Sequence, residues 1–240
     1  MPHRCYSSEP IRGDRVLLAG SEAHHLLHVL RAVPGTHVVL FDGSDAEFDA
    51  EVAACQRSAV ELAIRGRRAV DRELRAALTL GVPLPKGDRQ RWIVEKAVEL
   101  GVARLAPLAT ERSIVTSDRR SAGGEKLDRY VIEASKQCGR NRLMEIAAPM
   151  SWPDWLAAAP GDSRRWIAHP LGEPLRLASG FADVAGPTSA AVGPEGGLTE
   201  AEIESARAAG WQIVSLGPRI LRIETAALTL AAILGTSSGS

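Results

Sequence analysis

Two stretches near the C-terminus constrain the fold of this chain more than any others. Residues 192–200 read VGPEGGLTE, and residues 216–226 read LGPRILRIETA. Each stretch follows a short apolar run, 188–192 in the first case and 212–216 in the second, and interrupts it with glycine and proline. Because such runs are typical of buried strands, the repeated plan predicts two strands that each end in a glycine-bearing turn.

A helical pattern begins after each turn. In the first, Thr199 and Glu202 have the spacing of a capping box, which predicts the start of a helix. In the second, residues 225–234 are apolar on nearly every face, as in a helix buried in a core or at an interface. Ordinary strand-to-helix turns are one interpretation. The pair also favours a small-ligand site, since glycine lets backbone N–H and C=O groups approach a ligand closely.

The chain divides by pattern into two parts. Residues 73–240 alternate strands with helices, which predicts an α/β domain with a mainly parallel sheet. Residues 1–72 are mostly β, because apolar and polar residues alternate through 48–52 and 60–64. A chain of 240 residues is long enough for two modest domains. We therefore expect a small β-rich domain at 1–72 and an α/β domain at 73–240.

Charge and composition limit the partners and the compartment. The chain has 29 basic and 29 acidic residues, so any RNA binding must come from local clusters of charge. Its three cysteines have no spacing typical of a disulfide framework, which favours reduced thiols. The longest apolar run, 226–234, is too short to span a bilayer, and no signal peptide is recognisable. We expect a cytoplasmic protein.

Histidines near the N-terminus and an arginine-rich segment each allow two interpretations. His24 and His28 share one predicted helix face, which suggests a metal site, but no cysteine or carboxylate at suitable spacing completes a ligand set. We expect polar or RNA-facing histidines beside Arg31, and no metal. The segment 65–75 carries five arginines and two acidic residues, so it is either a solvated linker or a basic surface.

Common nucleotide and metallopeptidase motifs are absent. The sequence contains no Gly-x-Gly-x-x-Gly, no Gly-x-x-x-x-Gly-Lys and no His-Glu-x-x-His. A dinucleotide fingerprint, a phosphate-binding loop and the usual zinc peptidase helix are therefore excluded. A cofactor that needs no polyphosphate cradle suits the two glycine-bearing turns better.

These turns also carry a family resemblance. GPEGGLTEAE followed by LGPRILRIETAA resembles the C-terminal signature of the SPOUT-type RNA methyltransferases. Within that group, the pair is most similar to enzymes that methylate N3 of a uridine in small-subunit ribosomal RNA. The resemblance continues through PKGDRQRWIVEKAVELGV, PLATERS and EASKQCGR. HHLLHVLR followed by Pro-Gly resembles the PUA-like RNA-binding domain of the same enzymes, so the likeness covers nearly the whole chain.

The resemblance implies an architecture and an activity. It implies a SPOUT α/β domain with a trefoil knot, a preceding PUA-like β-barrel, and a homodimer with the cofactor site close to the subunit interface. The activity expected from it is S-adenosylmethionine-dependent methylation of a uridine N3 in 16S ribosomal RNA of the small subunit. Two alternatives stay open: a SPOUT methyltransferase for another RNA, such as tRNA or 23S ribosomal RNA, and a non-catalytic RNA-binding assembly factor.

The resemblance also implies three loops that hold S-adenosylmethionine, the first of them at the end of a strand near His169. The cofactor-binding residues expected on this basis are His169, Leu171, Gly172, Gly193, Pro194, Glu195, Gly196, Gly197, Leu216, Gly217, Ile220, Leu221, Arg222, Thr225 and Ala226. The leucines and the isoleucine would sandwich the adenine while backbone groups contact its edge.

Methylation of a uridine N3 requires an enzyme to remove an imide proton or to stabilise the anion as it forms. We expect Arg222 to stabilise the developing charge, with Arg219 as a second candidate. Glu224 or Glu195 would accept the proton or orient the base, although Glu224 could instead be a helix N-terminal carboxylate. Ile223 stands where many relatives have threonine, so no role is expected for a hydroxyl there.

Several cations and one histidine are the expected RNA contacts. Basic residues near the end of the predicted helix 127–138 could bind phosphate or merely complement the helix dipole. The RNA-binding residues expected from the resemblance and from local charge are Arg4, His28, Arg31, Lys86, Arg112, Arg140, Arg142 and Arg219.

Overall fold

The structure, a computed structural model, describes residues 3–113, 124–175 and 186–236. The polar composition of residues 116–124 predicts a loop, and nearly all of this segment lies outside the described residues.

The chain forms two compact units. The N-terminal unit comprises residues 1–72 together with 135–143, and the C-terminal unit comprises 73–134 and 144–240. The domains predicted from the sequence do not include this second segment of the N-terminal unit, because a short segment distant in sequence gives no local signal of the unit with which it packs.

The N-terminal unit is rich in β-structure. Its elements before residue 73 are β1 (His3–Tyr6), β2 (Arg15–Ala19), α1 (Gly20–His24), a π-helical turn (His25–Val29), β3 (His37–Phe41), β4 (Ala46–Cys55) and β5 (Ala59–Ala69). The five strands form one sheet in the order β1-β3-β4-β5-β2, in which β1 and β3 are parallel and the other pairs antiparallel. Phe48, Ala50 and Val52 are all buried in its core, which confirms the alternation predicted for this strand.

The helical segment after β2 differs from the prediction. Serine is a common helix-capping residue, but Ser21 does not cap this segment, because α1 already begins at Gly20 and has no side-chain cap. The segment then continues as the π-helical turn rather than as an α-helix. His24 and His28 do share a face, with ring centroids 4.6 Å apart. No cluster of potential metal ligands occurs among the residues that the structure describes.

The carboxylate of Glu47 is buried in the N-terminal unit and pairs with two arginines. Glu47 is 3% exposed. Its Oε1 accepts hydrogen bonds from Arg4 at 2.5 Å and from Arg72 at 2.6 Å. Burial raises the pKa of the Glu47 carboxyl, but the hydrogen bonds from Arg72 and Arg4 more than offset this, so the pKa is lowered. Arg4 also donates to Asn141 Oδ1 at 2.7 Å, which ties residues 135–143 to β1 and β4.

The C-terminal unit alternates strands with helices. Its elements are β6 (Leu78–Val82), α2 (Asp88–Glu99), β7 (Arg104–Ala109), α3 (Gly124–Cys138, whose last residues belong to the N-terminal unit), β8 (Glu145–Ile146), β9 (Met150–Ser151), α4 (Trp152–Ala158), β10 (Arg164–Pro174), β11 (Thr188–Val192), α5 (Glu200–Ala208), β12 (Gln212–Ser215) and α6 (Ile223–Thr236). The strands lie in the order β12-β10-β11-β6-β7-β8, with β9 also paired to β7. All these pairings are parallel, which confirms the predicted fold class. The trefoil knot stays a prediction.

The strands and helices that flank the two glycine-bearing turns lie close to where the sequence predicts them. β11 matches the predicted strand, and the capping box between Thr199 and Glu202 is present at the start of α5. The last helix begins two residues earlier than predicted, at Ile223. The sequence pattern also predicts a strand at 144–149, but the structure forms only the two-residue β8 there. None of the helices in the described ranges is both long and apolar enough to cross a bilayer.

Candidate functional site

A cavity of about 460 Å³ opens where three parallel strands end. Its walls come from β10 and from the turns that follow β11 and β12. The lining residues are Ala168, His169, Pro170, Val192, Gly193, Pro194, Glu195, Gly196, Gly197, Leu198, Leu216, Gly217, Arg219, Ile220, Leu221, Arg222, Ile223 and Ala226. The carboxyl ends of parallel strands are the usual place for a ligand in an open α/β sheet.

Most of the predicted cofactor residues line this cavity, but Leu171, Gly172 and Thr225 do not. Leu171 is 85% exposed and Thr225 is also exposed. A Cβ built on Gly172 would lie 2.5 Å from the backbone carbon of Val214, so this glycine is required by close packing of two strands. Five further apolar residues line the cavity and were not predicted from the sequence: Ala168, Pro170, Val192, Leu198 and Ile223.

The first wall is an irregularity in β10. Both Ala168 and Glu173 pair with Val214 of β12, so residues 169–172 loop out between them. This loop brings His169 to the cavity. The interruption lies between two regular stretches of strand and has no distinctive pattern, so the location of the strand is predictable from the sequence but this bulge is not.

The second wall, residues 193–197, is held by contacts from a distant loop. Glu202 caps α5 directly after this wall, and its Oε1 also accepts the N–H of Glu111 at 2.9 Å. The neighbouring Arg112 donates to the Gly196 carbonyl at 3.0 Å. Gly197 has a φ of 71°, a conformation that glycine adopts without strain. These contacts therefore fix the C-terminal end of the wall.

Two of the three predicted catalytic residues line this cavity, and the third is adjacent in sequence to a lining residue. Glu195 and Arg222 line it, and Glu224 lies one residue beyond Ile223 in the first turn of α6. Arg89, which the sequence analysis did not select, pairs with both carboxylates, at 2.9 Å to Glu195 and 3.7 Å to Glu224. Oε2 of Glu224 is buried and accepts no hydrogen bond from any residue that the structure describes. That oxygen is shielded from solvent and lies 3.7 Å from Arg89 Nη1.

The surroundings of His169 favour its neutral form. Burial, and secondly the charge of Arg207, lower its pKa below the ordinary value. Its Nδ1 accepts the N–H of Leu171 at 3.3 Å, which a neutral imidazole can do and an imidazolium cannot. A neutral side chain at this wall is compatible with a positively charged ligand.

Acidification is expected to destabilise the fold through His169. Its pKa is lower in the folded than in the unfolded state, so the unfolded chain binds more protons as pH falls below the unfolded value of about 6.5. Stability is therefore lost in that direction. His169→Asn, which keeps an acceptor near Nδ1, should reduce the fall in melting temperature between about pH 7.5 and about pH 5.5. An equal fall in the variant and the wild type would contradict this assignment.

The structure places the predicted RNA-binding residues in different environments. Arg140 is only 3% exposed and Arg4 is engaged with Glu47, so their positions do not favour phosphate contacts. Arg142 is half-exposed and forms a bidentate ion pair with Asp45. The other five are exposed: His28, Arg31, Lys86, Arg112 and Arg219. Burial was not predicted for Arg140 because it depends on residues 135–143 packing in the N-terminal unit.

Comparison with known proteins gives whole-chain similarities. The chain is 30% identical over 219 residues to ribosomal RNA small subunit methyltransferase E of Bacillus subtilis, covering 88% of this chain and 86% of that protein. It is similar to the structure of a methyltransferase from Legionella pneumophila with bound S-adenosylmethionine, with a TM-score of 0.89, 30% identity, and coverage of 99% and 98% of the two chains.

A second solved structure extends this similarity. Ribosomal RNA small subunit methyltransferase E from Neisseria gonorrhoeae, bound to S-adenosylmethionine, has a TM-score of 0.86, with 33% identity and coverage of 98% of this chain and 97% of that one. The model of the RNA methyltransferase PUA domain matches residues 18–65, and the model of the RNA methyltransferase domain matches residues 72–235. Because the latter match spans well over half of the chain, the chain belongs to the RNA methyltransferase family.

Proposed function

We propose that this protein transfers a methyl group from S-adenosylmethionine to N3 of a uridine in 16S ribosomal RNA. The observation that carries the proposal is the cavity at the strand ends, in a chain that matches two S-adenosylmethionine-bound methyltransferases over nearly its full length. Its volume lies within the range of about 300–1,000 Å³ that small-molecule sites occupy.

The chemistry of the lining suits this cofactor. Leu216, Ile220 and Leu221 offer apolar surface for an adenine, and the glycines of both turns leave backbone groups accessible. When bound, S-adenosylmethionine supplies an electrophilic methyl group on a positively charged sulfur. Carboxylates and a neutral imidazole around the cavity are compatible with that charge. Leu171, which we expected against the adenine, is not among the lining residues.

The residues of the chain would handle the imide proton and the charge it leaves. Arg222 lines the cavity with an exposed side chain, so its guanidinium can face a substrate base. A fixed positive charge beside the base stabilises the anion as the proton leaves. The exposed carboxylate of Glu195, or that of Glu224 after a movement that uncovers it, would accept the proton. Arg219, in the same wall, would contact the RNA backbone.

The same proposal includes a homodimer and a cytoplasmic location, where ribosomal RNA is made and assembled. The family resemblance supports the dimer, together with α6, whose sequence is apolar on nearly every face. Light scattering on the purified protein tests the oligomeric state, and a monomer at working concentration would remove this part of the proposal.

Mass mapping of RNA tests the reaction. Small ribosomal subunits from a bacterial strain lacking the corresponding methyltransferase are incubated with the purified protein and S-adenosylmethionine, and the digested RNA is analysed for 3-methyluridine. We expect that product at a single position of 16S ribosomal RNA, and no further methylation of subunits from the parent strain. A methylated ribose, or product only in tRNA, would assign another RNA. Cofactor binding without any product would favour an assembly factor.

A further inference from the structure

Arg89 lies at the start of α2 and joins two parts of the candidate site that are distant in sequence. Gly87, which has a φ of 73°, lies two residues before Arg89 and immediately precedes the helix. One of the partners of Arg89, Glu195, belongs to the glycine turn after β11, and the other, Glu224, belongs to the first turn of α6. All three residues are in the C-terminal unit.

The contacts use both terminal nitrogens of one guanidinium. Nη2 lies 2.9 Å from Glu195 Oε1, and Nη1 lies 3.7 Å from Glu224 Oε2. The side chain of Glu224 is only 13% exposed, whereas that of Glu195 is 55% exposed. Two carboxylates this close to one cation would repel each other without it. The planar fork of arginine can contact both together, which the single ammonium of lysine does less well.

We propose that Arg89 is a positioning residue that holds Glu195 and Glu224 in place and thereby fixes the wall of the cavity between the glycine turn and α6. The inference builds on the proposed function, because it assigns Arg89 to the same site. Arg89 acts through the two carboxylates and not by direct contact with the cofactor, since it is not among the residues that line the cavity.

The exposure of Arg89 distinguishes a role in positioning the two carboxylates from a role in the global stability of the fold. Arg89 is 46% exposed, and exposed ion pairs contribute little to global stability. Arg89→Ala is therefore expected to fold and to melt within a few degrees of the wild type. Its effect should be confined to the relative positions of the two carboxylates.

A mutant cycle on cofactor affinity tests how Arg89 acts and needs no RNA. We expect Arg89→Ala to raise the calorimetric Kd for S-adenosylmethionine about tenfold in the wild-type background, within the range of couplings between contacting residues. In a background carrying Glu195→Gln and Glu224→Gln, the same change should alter Kd less than about twofold. An equal loss in both backgrounds would make Arg89 a direct ligand contact, and no loss in either would make its ion pairs incidental.

Single-turnover kinetics give a second readout. With RNA and cofactor saturating, Arg89→Ala should remain slower than the wild type, and Arg89→Lys should be intermediate because it keeps the charge but not the fork. Arg91→Ala is the matched control: Arg91 is on the same helix, similarly exposed, and paired with Glu95 at 2.6 Å. It should behave as the wild type in both experiments. Recovery of the full wild-type rate by Arg89→Ala at saturation would overturn a role in arranging the carboxylates for the reaction.

A crystal structure of Arg89→Ala without ligand tests the inference independently of the proposed function. We expect the Glu195 carboxylate to move away from Glu224 when the guanidinium is removed. Unchanged positions of both carboxylates would overturn the inference even if the enzyme methylates ribosomal RNA. If the wild type binds S-adenosylmethionine but methylates no ribosomal RNA, the proposed function fails while the affinity cycle and this structure still decide the role of Arg89.

Discussion

Replacing Arg222 with alanine is expected to lower the single-turnover rate of methylation about a hundredfold, the scale on which loss of one oriented donor to a developing oxyanion slows an enzyme. The guanidinium lies at the cavity wall, and it matters most as the imide proton leaves. The backbone carbonyl of Arg222, which accepts the N–H of Ala226 at 2.8 Å, is kept in the variant. The start of α6 should therefore survive, and cofactor affinity should change little.

Comparison variants separate catalysis from binding at this position. Arg222→Lys should restore little of the rate, because an ammonium lacks the planar fork of donors. Arg219→Ala should chiefly raise KM, since we place Arg219 against the RNA backbone, and Arg91→Ala should leave both constants unchanged. If Arg222→Ala reacts at the normal rate once RNA and cofactor are saturating, Arg222 is a substrate-binding residue. The stabilising charge must then come from elsewhere in the site.

Replacing Gly172 with alanine is expected to lower the free energy of unfolding by about 2–3 kcal/mol, the cost of overpacking a tight contact. The added Cβ would lie 2.5–2.7 Å from the backbone N, Cα and C atoms of Val214. Backbone cannot rotate out of the way as a side chain can, so β10 and β12 must separate locally. Urea unfolding followed by circular dichroism measures the change.

A second glycine supplies the control for this prediction. Gly161 has no atom within 4 Å of an added Cβ, and its φ is not in the left-handed region. Gly161→Ala should change the free energy of unfolding by less than about 0.5 kcal/mol. If Gly172→Ala were as stable as Gly161→Ala, the loop at 169–172 would have to adjust without cost. We also expect Gly172→Ala to weaken cofactor binding, because the loop that it distorts carries His169 to the cavity.

The features that the sequence predicted well depend on local patterns. β11 is a run of five buried residues, and its mainly apolar composition together with the glycine and proline that follow it is sufficient to identify it. The start of α5 depends on Thr199 and Glu202, three residues apart, whose hydrogen bonds form within one turn. The glycine-bearing turns line the cavity as expected because parallel strands bring their carboxyl ends to one edge of a sheet.

Other features depend on contacts between distant residues, and no short pattern encodes them. The pairing of Arg89 with Glu195 and Glu224 joins three turns that are far apart in sequence. The burial of Arg140 depends on the packing of residues 135–143 in the N-terminal unit. In the sequence each of these arginines resembles any solvated cation, since exposure and ion-pair partners are set only when the chain is folded.

The sequence by itself therefore determined the α/β class, the β-rich N-terminal part, the two glycine turns and the family resemblance, because each is carried by local spacing or by a contiguous motif. Only the tertiary structure decided the rest. It decided that Gly172 packs against Val214 and not in the cavity wall, that Glu224 Oε2 is buried beside Arg89 without a hydrogen bond, and that Arg89 pairs with two carboxylates of the site. The physical reason is that close packing and ion pairing act over a few ångströms in space, whatever the separation along the chain.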